Sequence, residues 1–326
     1  HKNLKEGNYW LRAYTNWMRN FDNEFFFNKK IQILDGSNTT LNQEKTKESN
    51  LDLQFFPEGG HLVANLSNKV AFKAIGNDGL PKDVKGKIVN SKGEHIVNIT
   101  SLDRGAGFFV LEPQKGETYK AILNDNSSYN LPLVDNVGYV MTVNNSSLKS
   151  INLKIQASKE LFDNEFYVIG HNQNFKYYQG KFKFNDSDLI EFDIPKNRLP
   201  SGVFVLTLMD ANMQALSERI LFINNSKELV ITTNVVKDAY KPREKVEVNI
   251  NVTDVNGVPV EADLAVSVND VDRAYRNELG PNILTHFLLQ SNIKGVINNP
   301  AEFFQDQKRS TIAKLDLIML TNGWRK

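Results

Sequence analysis

Apolar and polar residues alternate along most of this chain in short runs, and glycine and asparagine turns separate the runs. Lys69-Val70-Ala71-Phe72-Lys73-Ala74-Ile75 alternates, breaks at Gly76-Asn77-Asp78-Gly79 and resumes beyond Leu80-Pro81. Lys245-Val246-Glu247-Val248-Asn249-Ile250-Asn251-Val252 alternates in the same way, breaks at Asp254-Val255-Asn256-Gly257 and reaches Val258-Pro259. The two copies begin at Lys69 and Lys245, 176 positions apart. That period is far too long for a solenoid, so the copies read as separate β-domains with at least one more domain between them.

The rest of the pattern fills in that arrangement. Residues 1–35 hold two aromatic-rich strands, Tyr9 to Thr15 and Phe25 to Ile33. Two strands cannot bury a core alone, so they are expected to be the last strands of a truncated domain or to borrow another sheet. His1 falls in the middle of what reads as a domain, as it would after removal of a signal or in an excised piece. Residues 36–50 are polar and read as a linker. Residues 51–137 show strands at about ten-residue spacing with turn signals between them, which is the signature of a sandwich. Residues 138–225 do the same, with strands over 153–157, 165–171, 176–184, 189–194, 202–209 and 215–223. Residues 226–326 open a third unit with strands over 230–235, 246–252 and 262–269.

That third unit then changes period. Asn282 to Leu289 has helical apolar spacing, with Pro281 before it and Gly295 beyond it. Ile312, Leu315, Ile318 and Met319 mark a second amphipathic helix. Together they predict a helical insertion over 281–322. The fold class expected is all-β: tandem immunoglobulin-like β-sandwiches with a small helical segment near the C-terminus.

Composition narrows the function. With 39 basic and 38 acidic residues among 326, the net charge is +1 and no global field favours nucleic acid. Cysteine is absent, which removes disulfides, thiolate zinc sites and cysteine nucleophiles. No apolar run reaches the length of a membrane-spanning helix.

Candidate chemistry is sparse. His61 follows Glu58-Gly59-Gly60, but a metal needs three or four converging ligands and no second histidine lies nearby in sequence. No nucleotide-binding or serine-nucleophile motif stands in a usable context. We therefore expect no catalytic residues, no metal site and no cofactor. The aromatic clusters are more suggestive. Alternate aromatics in a sandwich face the core, and those on the opposite face could form a platform for a glycan or peptide. Trp10, Tyr14, Trp17, Tyr177 and Tyr178 are the candidates for such a surface.

Several segments carry a resemblance. Tyr9-Trp10-Leu11-Arg12-Ala13-Tyr14-Thr15-Asn16-Trp17-Met18-Arg19-Asn20, Phe56-Pro57-Glu58-Gly59-Gly60 and Leu315-Asp316-Leu317-Ile318-Met319-Leu320-Thr321-Asn322-Gly323-Trp324-Arg325 resemble the macroglobulin-like domains of Bacteroidetes surface proteins. These domains often precede a TonB-dependent receptor plug and barrel. Tyr240-Lys241-Pro242-Arg243-Glu244-Lys245-Val246 is similar to the opening of an MG2-type domain, with Arg243 where the family has glycine. The resemblance implies tandem macroglobulin-type sandwiches in the periplasm or at the outer-membrane surface, as part of a longer protein. The thioester of alpha-2-macroglobulins needs a cysteine, so that chemistry is excluded within these residues.

The function this implies is a non-enzymatic extracytoplasmic structural or interaction module, the forepart of a larger outer-membrane protein related to TonB-dependent transport. Its partner would be an outer-membrane transporter or another surface protein. Two other readings stay open: a nutrient-capture protein that binds polysaccharide or peptide, and a thioester-less protease interactor of the macroglobulin type.

Overall fold

A computed structural model describes residues 7–18, 26–33, 51–77, 79–185, 187–268 and 277–322. The chain divides into two compact units, His1–Ser49 and Asn50–Lys326. In the first, β1 (Gly7–Ala13) pairs antiparallel with β2 (Phe27–Ile33). The register sets Tyr9 opposite Ile31 and Gly7 opposite Ile33, so apolar positions of the two strands share one face. The expected linker over 36–50 lies outside the described residues.

The second unit opens with β3 (Asp52–Pro57), β4 (Leu62–Val63), β5 (Asn68–Ile75), β6 (Lys85–Asn90), β7 (His95–Thr100), β8 (Ala106–Leu111), β9 (Tyr119–Leu123), β10 (Ser128–Asn130) and β11 (Val134–Asp135). One sheet has the order β3-β5-β8 and the facing sheet the order β10-β9-β6-β7. The period-two pattern explains why they face each other. Leu53 and Phe55 of β3 are buried while Asp52 and Gln54 are exposed. Leu53, Phe55, Val70 and Phe72 meet Ile88, Ile99, Tyr119 and Leu123 in one core. The short parallel pair β4–β11 closes one edge.

A second sandwich repeats this plan. It consists of β12 (Tyr139–Asn144), β13 (Ser150–Ala157), β14 (Glu165–Asn172), β15 (Phe175–Lys183), β16 (Leu189–Pro195), β17 (Gly202–Asp210) and β18 (Ala215–Ile223). The sheet orders are β12-β13-β16 and β18-β17-β14-β15 read in the matching direction. Strand for strand this is the arrangement of the first sandwich. Both are seven-stranded Greek-key sandwiches of the immunoglobulin-like class. Met141, Ile151, Leu153 and Ile155 pack against Phe166, Phe204, Leu206 and Leu221.

Of the unit expected over 226–326, the described residues show one hairpin, β19 (Val230–Val235) with β20 (Val248–Thr253). The strand expected over 262–269 does not form in the described residues 262–268. Helix α1 (Ile283–Leu288) and helix α2 (Arg309–Asn322) pack back on the two complete sandwiches. Helix α1 starts at a reciprocal cap: Asn282 Oδ1 accepts from Thr285 N–H, and Thr285 Oγ1 accepts from Asn282 N–H.

Candidate functional site

The seam between the two sandwiches concentrates the buried charge of the described residues. Pro57-Glu58-Gly59-Gly60 ends β3 there and turns Glu58 inward, its side chain fully buried. The turn needs glycine. Gly59 has φ +87, and a Cβ at that position would lie 2.2 Å from Ser217 Oγ. Gly59 O accepts from the Ser217 hydroxyl at 2.9 Å, and Gly59 bridges to Glu218 on the edge of β18.

Arg219 is the next residue on β18, and it reaches three parts of the fold. Its Nε donates to Glu58 Oε1 at 2.7 Å, and its Nη2 donates to Asp316 Oδ1 of α2 at 2.6 Å. Its Nη1 donates to Ile220 O. Glu58 Oε1 also accepts from Val143 N–H at 3.3 Å, which ties β3 to β12. Glu58 Oε2 is buried and takes no hydrogen bond. Burial opposes the guanidinium charge, but Asp316 and Glu58 more than offset it and hold the group above its ordinary range.

Helix α2 closes the seam because it carries two apolar faces. Leu315 and Met319 pack on Val203, Ile220 and Phe222 of the second sandwich. Leu317 and Leu320 pack on Ala71 and Ala106 of the first. Asp316 lies between the two faces, with Lys69 Nζ a further 3.8 Å contact. Polar ties flank the helix: Lys73 Nζ donates to Asn322 Oδ1 at 2.9 Å, and Arg104 pairs with Glu302 at 2.5 Å. The sandwiches also touch directly through Val63, Leu66 and Val140.

Lys196 lies near the same seam and is buried. Its Nζ donates to Asn145 O at 3.0 Å and to Ser147 O. Burial draws this amine down to about 8, with Asp316 pulling the other way.

The sequence candidates are dispersed. His61 does not share a site with Glu58. Its Nδ1 pairs with Asp135 at 2.8 Å on the solvent side, and among the described residues no three acidic or histidine side chains converge on a metal position. Tyr177 is exposed. It is the residue left unpaired where the register shifts between Gly170 and His171, with its ring 6.4 Å from Phe204. Tyr178 belongs to the core instead of a surface platform: it packs on the core cluster and stacks on Phe192 at 6.0 Å. Tyr14 and Trp17 are exposed, and Tyr14 stacks on Phe26 at 4.6 Å. The Trp10 side chain lies outside the described residues. Glu58, Arg219 and Asp316 were not candidates from sequence. Glu58 and Asp316 stand in the segments 56–60 and 315–325 that carry the resemblance, but no local pattern there joins them to Arg219.

No protein-family model matches this chain, and no curated protein matches it. Among solved structures, the native conformation of E. coli alpha-2-macroglobulin is similar at 11% identity and TM-score 0.21, over 64% of this chain and 17% of that one. A Salmonella alpha-2-macroglobulin variant is similar at 10% identity and TM-score 0.23, over 76% and 20%. A tetra-tandem repeat from the extending region of a large adhesion protein is similar at 11% and TM-score 0.26, over 65% and 67%. The chain thus spans no more than a fifth of either macroglobulin. With TM-scores this low, the fold assignment rests on the chain's own strand order.

Proposed function

We propose that this chain is a non-enzymatic structural and interaction module that holds two immunoglobulin-like sandwiches as one rigid piece. The observation that carries this reading is the burial of Arg219 between Glu58 of the first sandwich and Asp316 of α2. Taking charges out of water is costly, so a buried pair is weak evidence of added stability, and we read this one as a device that fixes geometry. A module whose role is to space or present a partner needs that fixed geometry. Two sandwiches free to swing would not provide it.

The finer reading places the module in the periplasm or at the outer-membrane surface. There it would be the forepart of a larger protein related to TonB-dependent transport, with a transporter or another surface protein as its partner. What supports this is the resemblance of the segments 9–20, 56–60 and 315–325 to macroglobulin-like domains of such proteins. Fractionation of cells that make the protein tests it. The expected result is recovery with the outer membrane, and recovery in the cytoplasmic fraction overturns it.

A second reading, capture of a peptide or glycan, has one observation in its favour. A cleft of about 840 Å³ opens between the sandwiches, lined by Gly60, His61, Leu133, Asp135, Leu216 and Glu218. That volume falls in the range of ligand sites. Titration with peptide and oligosaccharide libraries, with His61→Ala as control, separates the two readings.

A further inference from the structure

A pocket between α2 and the first sandwich collects positive charge. Lys73 of β5, Arg104 of the turn before β8 and Lys314 of α2 line it, against the carboxylate of Asp103. Lys314 Nζ lies 3.4 Å from Asp103, and Arg104 Nη2 lies 2.5 Å from Glu302. Each carboxylate thus has its own cation, and Lys73 is left over. Among the described residues Lys73 Nζ meets no carboxylate, and its hydrogen bond goes to the neutral Oδ1 of Asn322 at 2.9 Å. Lys73 is half-buried, and that burial draws its amine below the ordinary lysine value. The C-terminal turn of α2 offsets at most about half a charge. A cation short of counter-charge therefore stands where charge is costly.

The opposite wall of the pocket offers donors. Val296, Ile297 and Asn298 form it, and among the described residues their backbone N–H groups donate to no protein acceptor. Consecutive free N–H groups of this kind suit an anion. Asn322 accepts from Lys73 through Oδ1, which leaves its Nδ2 as a further donor. That nitrogen faces the start of the same wall, 3.9 Å from where a Cβ on Gly295 would lie. Ala106 and Leu317 are buried at the floor, and the cavity measures about 60 Å³. That is room for roughly two water molecules, enough for a small ion and too little for a segment of chain.

A site made of amines and N–H groups calls for a ligand that only accepts and carries negative charge. A tetrahedral oxyanion presents acceptors in several directions at once, and here the donors come from β5, from α2 and from the 296–298 segment. We propose that this pocket binds a small free oxyanion of the phosphate or sulfate type, and that the bound ion fastens α2 to the first sandwich.

Isothermal titration of the 326-residue chain with sodium phosphate, at constant ionic strength in chloride buffer near neutral pH, tests this. One saturable site is expected. Lys73→Met should weaken it by at least roughly tenfold, while Lys92→Met, on an exposed turn of the same sandwich, leaves it unchanged. Should Lys73→Met fail to fold, Lys314→Met at its exposed position takes its place, with the same loss expected. Sulfate should compete with phosphate, and acetate should not. Hydrogen exchange across α2 should slow in saturating phosphate. The proposal is overturned by a lack of saturable binding, or by binding that the folded lysine variant leaves intact. Acetate that competes as well as sulfate overturns it too, as does exchange across α2 that phosphate leaves unchanged. None of these outcomes bears on the rigidity of the seam, which is read by distances across the two sandwiches.

Discussion

Arg219 and Asp316 are 97 residues apart in sequence, and their charged groups meet at 2.6 Å. The contact joins an edge strand of the second sandwich to a helix that also rests on the first. Glu58 completes the join from the first sandwich itself. Three segments remote in sequence thus share one buried guanidinium.

Removing the guanidinium should therefore cost more than a typical surface change. Arg219→Ala leaves Glu58 buried without its partner, and the expected loss is about 3–5 kcal/mol of unfolding free energy. Adding Glu58→Gln to that variant should recover part of the loss, because the stranded charge is gone. Urea unfolding of the single and double variants measures both steps.

Helix α2 should detach before the sandwiches do. Leu317→Asp places a carboxylate against Ala71 and Ala106 and weakens one of the two apolar faces. Hydrogen exchange should then show faster exchange across α2 while the amides of β5 and β17 stay protected. Equal loss of protection everywhere would mean that helix and sandwiches unfold as one.

Gly59→Ala combines a left-handed backbone with a Cβ that meets Ser217. We expect a loss on the order of 1–3 kcal/mol. The same change at Gly116, where a Cβ meets nothing within 4 Å despite φ +75, should cost less. Comparison of the two midpoints in denaturant isolates the contact from the backbone strain.

Lys196 gives the seam a pH dependence of definite sign. Its folded-state value, about 8, lies below the ordinary lysine value of 10.5. Between those limits the unfolded chain holds a proton that the folded chain has released, so this group makes stability rise with pH from about 8 to 10.5. Below pH 8 the cost of burying the charged amine is fully present. Stability curves for the wild type and Lys196→Met should differ in slope across that window and run parallel below it.

Much of the architecture was legible in the residues. Alternation at 153–157 reports a strand because its apolar positions are buried and Lys154 reaches solvent, whereas β5 and β18 are covered on their second face too, by α2 over Ala71, Ile220 and Phe222. The Lys69 and Lys245 copies do mark equivalent strands. Their structural offset is 178 instead of 176, because the stretch from Lys245 to the turn glycine Gly257 is two residues longer than that from Lys69 to Gly79. The short strands were not visible. β4 and β11 have two residues each and β10 three, too few for a period. Helix α2 was visible as one stripe through Ile312, Leu315, Ile318 and Met319. Its second face, Leu317 and Leu320, reads as noise around that stripe until the first sandwich is in place. The candidate site was almost wholly hidden. Nothing local to Arg219 or Asp316 marks them as paired in the seam, since both are common surface residues and Arg219 lies 161 and 97 positions from its partners. Tyr177 is the extra residue of a bulge, and the structure parts it from Tyr178, which is half-buried against the core.

If the seam holds the two sandwiches as one rigid body, a distance measured across it is fixed. The chain has no cysteine, so single cysteines at Lys92 and Lys183, both exposed, can carry spin labels without interference. We expect one narrow distance distribution in the wild type that broadens in Asp316→Ala. A broad distribution in the wild type, or a narrow one that Asp316→Ala leaves unchanged, would contradict it.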